Sequence, residues 1–273
     1  MRLPSLAPAA RKRLWVGVLL VLLLVSLLSA VQYLRPEERS NLPALGFMTT
    51  LPLQWSEGGI EAAVVADAAP HPAFARLSES YKMVPVDDLD DIDRLNLLLL
   101  AQPRAMSPEE LVKLDTWVRR GGRLLLLADP ALQWGSLYSL GDKRRPLFTS
   151  LLSPLFNHWG VELVLPIDEA EPVSILDLDG LTVRTRTPGE WRNKPDNKST
   201  CAIGANAVYA DCAPGQGRAI LVADADLLDT VYWEGRGLRF LTNSDEFGNM
   251  QWVEIMLRSL RETMGKPRRE SQK

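Results

Sequence analysis

Two cysteines and two histidines in 273 residues leave few candidates for thiol or imidazole chemistry. A nucleophilic cysteine needs a tight strand-to-helix elbow and a histidine to take its proton. Cys201 has Ser199 where a G-x-C-x-G elbow requires glycine, and no helical pattern follows it. His71 lies in a proline-flanked loop and His158 at a helix end before Trp159-Gly160, so neither is placed to serve a Cys/His triad. No G-x-S-x-G occurs, which removes the serine-hydrolase elbow, and no G-x-x-x-x-G-K-[ST] occurs, so ATP would have to be handled by another chain. Internal repeats and low-complexity tracts are also missing. All but four of the 31 Lys/Arg lie beyond residue 13, outnumbered there by 34 Asp/Glu, which argues against nucleic acid as a partner.

What the chain does have is one long apolar run, Leu14 to Val31 (LWVGVLLVLLLVSLLSAV). As a helix it would extend roughly 27 Å, near the ~30 Å of a bilayer core. Arg2, Arg11, Lys12 and Arg13 precede it, and no acid comes before Glu37. The positive-inside rule then predicts a membrane anchor over residues 14–34, with residues 1–13 cytoplasmic. The expected setting is a bacterial inner membrane, single-pass, with the main domain periplasmic; a cleaved signal peptide is the competing reading.

Beyond a polar linker at 35–43, residues 44–264 alternate between short apolar runs and helical patterns, ahead of a polar tail at 265–273. Leu95–Leu100 and Arg123–Ala128 read as strands covered on both faces. Between them Ser107-Pro108-Glu109-Glu110 starts a helix with Leu111, Leu114, Trp117 and Val118 on one stripe, and Gly121-Gly122 stops it. Strand, helix, strand predicts a right-handed βαβ crossover. Phe148–Trp159 reads as a helix and Glu190–Thr200 as a loop, within a β-rich insertion near 165–215 that includes a hairpin at Asp179-Gly180. The predicted class is α/β, a doubly wound, mostly parallel sheet with that insertion, preceded by the transmembrane helix.

Asp129, Asp224 and Asp226 follow predicted parallel strands, where open α/β sheets bind ligands, so they are the ligand-binding candidates. They could also cap turns or helices instead. The acidic run Asp87, Asp88, Asp90, Asp91 and Asp93 lacks the Gly and distal Glu of a calcium loop and reads as solvated surface. No metal site, cofactor or catalytic residue is assigned. Cys201 and Cys212 are the disulfide candidates: Gly204, Asn206 and Asp211 between them favour turns, and the alternative is two unpaired thiols.

The blocks Leu97–Pro103, Ser107–Leu111, Trp117–Gly122, Leu124–Pro130 and Gly217–Leu228, with Asn249 before the last helix, resemble the ABC-type uncharacterised transport family that includes gliding-motility accessory proteins. Such domains resemble class I glutamine amidotransferases without the catalytic machinery. The resemblance implies a flavodoxin-like α/β sheet in a membrane-anchored, non-catalytic accessory subunit whose partners are a transporter permease or ATPase, or other envelope proteins. A metal-assisted hydrolase or a ligand-binding sensor using the three aspartates is the alternative.

Overall fold

In the computed structural model the described residues are 17–26, 42–54, 57, 70–166, 173–195, 199–235 and 245–263. The chain divides into two compact units, residues 1–43 and 44–273. In the first, residues 17–26 are helical, with Val18 through Val25 exposed. Ten residues rise only about 15 Å, half of a bilayer core. Among the described residues no helix is long and apolar enough to cross a membrane. This corrects the expected transmembrane helix over 14–34, and with it the single-pass inner-membrane placement. Residues 14–16 and 27–34, most of the 35–43 linker and the 265–273 tail lie outside the described residues.

The second unit is built on a seven-stranded sheet in the order β2-β1-β3-β4-β11-β10-β9. Its first strands are β1 (Ala44–Thr49), β2 (Lys82–Pro85), β3 (Leu97–Ala101) and β4 (Arg123–Leu127). Outside the main sheet, β5 (Val161–Val164) pairs antiparallel with β8 (Glu190–Asn193), and β6 (Ser174–Leu178) with β7 (Leu181–Thr185). The sheet is completed by β9 (Cys201–Ile203), β10 (Tyr209–Cys212) and β11 (Arg218–Val222). Strands β2, β1, β3, β4 and β11 run parallel, while β10 and β9 add antiparallel at one edge.

Strands β3 and β4 are LLLLA and RLLLL, every residue buried. At about 1.5–3 kcal/mol per buried Leu, burial rather than β propensity makes these runs the central strands. Alternate side chains divide the core. Leu45, Leu97, Leu99, Leu125, Leu127, Ile220 and Val222 face helices α1 (Pro72–Ser80) and α5 (Asn249–Glu262). Leu98, Leu100, Leu124, Leu126 and Leu221 face α2 (Pro108–Arg119) and α3 (Ser153–His158).

Helix α2 opens with a capping box: Glu110 N–H donates to the Ser107 hydroxyl, and Ser107 N–H donates to the Glu110 carboxylate. It ends at Gly121, whose φ of +120° only glycine adopts readily. A Cβ on Gly122 would lie 2.5 Å from the Trp117 ring. A short helix α4 (Thr230–Trp233) follows the 3₁₀ turn Asp226–Leu228.

Two segments depart from the sequence reading. Helix α3 covers only Ser153–His158 of the expected Phe148–Trp159, because residues 148–152 belong to the loop that returns to the end of β4. Glu190–Asn193 is a strand, not a loop. Trp191 is buried with its ring 4.8 Å from Phe156, edge to face, and this single aromatic anchor draws a polar segment into a ladder with β5.

Candidate functional site

Leu127 of β4 pairs with Val222 of β11. Two residues beyond each strand, at the same level on neighbouring strands, come Asp129 and Asp224. The period of two aims them at the same side of the sheet, about 5 Å apart in backbone. Asp226 begins the turn just after Asp224. All three are fully buried.

Their oxygens are nearly all occupied. Asp129 Oδ1 accepts from Ala131 N–H at 2.8 Å and Oδ2 from Ala225 N–H at 3.0 Å. Asp224 Oδ1 accepts from Leu227 N–H at 2.7 Å, and Oδ2 from the Thr185 hydroxyl at 2.5 Å. Asp226 Oδ2 accepts from Gln133 N–H at 2.7 Å, while Oδ1 is buried without a partner. The aspartates thus staple the loop after β4 to the loop after β11, which is turn capping carried across two strands.

Burial first, and then the neighbouring Asp129 charge, raises the Asp226 carboxyl to about 7. The same two causes hold Asp224 well above the ordinary carboxylate range, and burial raises Asp129 against three backbone N–H bonds that pull the other way. Three carboxyls this close and this dry keep at least one proton near neutrality.

Gln102 and Asn249 complete the frame. Gln102 sits at the end of β3 with φ +43°; its Oε1 accepts from Asp129 N–H at 2.8 Å and its Nε2 donates to Leu147 C=O at 2.8 Å. Asn249, the first residue of α5, accepts from Arg184 N–H at 3.0 Å and donates to Arg184 C=O at 2.7 Å and Leu227 C=O at 2.9 Å. Sequence reasoning assigned Gln102 no role. The available signal was an amide directly after an all-apolar strand and before Pro103, where a buried polar group has to be fully bonded.

The other polar candidates are dispersed. Among the described residues no group of three or more His, Cys, Asp or Glu is arranged to hold a metal ion. In the acidic run Asp90 pairs with Lys113, Asp91 with Arg94 at 3.3 Å, and Asp88 Oδ1 accepts from Asp90 N–H at 2.9 Å. His71 caps α1 through Nδ1, against Trp134, and burial lowers its pKa to about 4. Trp134, Trp191 and Trp233 are buried.

Cys201 and Cys212 are opposite each other in the β9–β10 register and form a disulfide. Maleimide added to the denatured, unreduced chain is expected to label neither sulfur. Reduction should cost about 2–3 kcal/mol of stability for this short loop; labelling of both sulfurs without reductant would contradict the bridge.

A cavity of about 260 Å³ lies at the carboxyl ends of β1 and β2, lined by residues including Phe47, Met48, Leu51, Val86, Asp87 and Arg104. Another of about 210 Å³ lies between Leu165, Leu176, Thr187 and Val208.

Among solved structures, the chain is similar to the "mmIFT52 N-terminal domain", at 13% identity over 83% of this chain and 100% of that one, with a TM-score of 0.46. It is similar to a cold-adapted β-galactosidase from Rahnella sp. R3, at 15% identity over 79% of this chain and 32% of that one, TM-score 0.40. The exo-β-1,4-mannosidase Op5Man5 from Opitutaceae bacterium strain TAV5 matches at 12% identity over 71% of this chain and 34% of that one, TM-score 0.38. The match thus spans about a third of each glycosidase. No curated protein matches the chain. A family model described as "ABC-type uncharacterized transport system" matches residues 42–191, from the start of the sheet through Trp191. With more than half of its length so matched, the chain belongs to the ABC-type uncharacterized transport system family.

Proposed function

We propose that the chain is a non-catalytic accessory subunit of an ABC-type transport system, acting through contacts with the permease or ATPase subunits. The observation that carries this reading is the closure of its polar crevice. Asp129, Asp224 and Asp226 have no exposed surface, and five of their six carboxylate oxygens already receive a donor from this chain. A hydrolase working through them would need at least one carboxylate open to substrate within hydrogen-bond reach. The sequence holds no phosphate-binding loop motif, which fits nucleotide hydrolysis by another polypeptide. Family membership supplies the transport context and leaves the cargo undefined.

The test is reversible cross-linking in living cells with a tagged chain, followed by identification of the linked proteins. Permease or ATPase subunits of one ABC system are expected among the specific cross-links. Efficient cross-linking to other proteins, with no ABC component, would contradict the proposal.

A further inference from the structure

The connection from β4 to α3 carries an exposed apolar tip. Leu137 is 85% and Leu140 81% exposed, with Phe148 at 57% nearer the base. Large apolar side chains this exposed within one connection, residues 128–152, mark a contact surface. The tip is also preorganised. Its legs are pinned by Leu132 N–H to Phe148 C=O at 2.8 Å and Ser150 N–H to Asp129 C=O at 2.8 Å. Inside it, Arg145 donates to Tyr138 C=O at 2.7 Å, and the Arg144 guanidinium lies 4.2 Å from the Tyr138 ring centre. Residues 142–145 read Asp-Lys-Arg-Arg, a net positive collar.

The cavity at the ends of β1 and β2 has the complementary character. Phe47, Met48, Leu51, Pro85 and Val86 give it apolar walls beside Thr49, Gln54, Asp87 and Arg104, and exposed Asp88 is the next residue after Asp87 at the start of the acidic run. Arg104, its lining cation, commits all five N–H groups to Asp87 C=O, Ala105 C=O and the Glu110 carboxylate, leaving none for an anion. At about 260 Å³ the cavity falls below the ~300–1,000 Å³ of small-molecule sites and suits an apolar side chain.

Parallel strands place the ends of β1, β2 and β4 on one side of the sheet, so tip and cavity share that side. Leu137 and Leu140 are too exposed to occupy their own chain's cavity. We propose that the 137–145 tip docks into the cavity of a second copy of the chain, forming a two-fold dimer in which each copy supplies one tip and one cavity. Such an interface is isologous, so each contact occurs twice and each substitution acts twice. Apolar burial supplies the affinity, and the Lys143 collar against Asp88 sets the register. The inference stands independently of the transport reading.

The test is the mass of the full-length chain by light scattering across a concentration series. A dimer is expected, with Leu140→Asp weakening it by about tenfold or more, as for a central interface residue. Lys143→Glu and Asp88→Lys should each weaken it, and the double variant should restore it. These positions are exposed, and unchanged circular dichroism will show that the variants fold. A monomer at every concentration, a dimer indifferent to Leu140→Asp, or a double variant no tighter than the singles would overturn the proposal.

Discussion

Asp226→Asn will flatten the dependence of folding stability on pH between about 5 and 7. With its carboxyl raised to about 7 from an ordinary 3.8, the folded chain holds a proton that the unfolded chain has released. Stability from this group is therefore complete below about pH 4 and is lost as pH rises through 7, with a limiting slope of about 1.4 kcal/mol per pH unit. Across pH 5 to 7 that amounts to roughly 2–3 kcal/mol. Because Asp226 is fully buried, solvent screening takes little away.

Asp129 and Asp224 act in the same direction and remain in the variant. His71 acts against them. Burial keeps its ring uncharged down to about pH 4, while an unfolded histidine protonates near 6.5, so acidification through that range costs stability. Glu110, held near 2 chiefly by its Arg104 hydrogen bond, and Asp142, held near 2 chiefly by Arg144, change only at lower pH. The difference between wild type and Asp226→Asn at each pH therefore reports the Asp226 carboxyl together with its effect on Asp224, which the Asp226 charge helps to raise. Urea denaturation at pH 5, 6 and 7 should show the variant's slope reduced by about 1 kcal/mol per unit. Parallel curves would mean that Asp226 is ionised in the folded chain at all three values.

Asn249→Ala should destabilise the fold by about 3–5 kcal/mol, the upper range for a single substitution. Its side chain is fully buried and makes three hydrogen bonds to backbone groups of Arg184 and Leu227. Each backbone group left buried without a partner costs about 1–3 kcal/mol. Asn249→Asp should be no milder, since it keeps an acceptor for Arg184 N–H but sets a carboxylate against two carbonyls. For a domain of this size the alanine variant should melt roughly 10 °C lower. A loss below about 1 kcal/mol would mean that water replaces the amide, and that Asn249 does not tie α5 to β7 and to the turn after Asp226.

The central strands were legible because LLLL runs bounded by Ser-Pro-Glu-Glu and Gly-Gly carry both a burial pattern and helix start and stop signals. The side-by-side placement of Asp129 and Asp224 followed from their position two residues beyond neighbouring parallel strands. Their occupation by backbone N–H groups was not legible, because the donors come from Ala225, Ala131, Leu227 and Gln133, whose side chains give no hint of it. Strand β8 was hidden because three of its four residues are polar and its pairing depends on Trp191 reaching Phe156. Hydropathy over residues 14–34 reported composition, whereas among the described residues no helix is long and apolar enough to cross a membrane. The cavity of Phe47, Val86 and Arg104 joins segments nearly sixty residues apart, a proximity no local pattern encodes.

If the buried aspartates are structural staples, a chain that keeps its fold without the Asp226 carboxyl keeps its function. The most direct measurement is the ATP hydrolysis rate of the partner transporter, identified by cross-linking, reconstituted with wild type or with folded Asp226→Asn. Equal rates and equal co-purification are expected. A folded Asp226→Asn chain that binds the transporter but no longer supports its activity would make that carboxyl a working group and contradict the non-catalytic role.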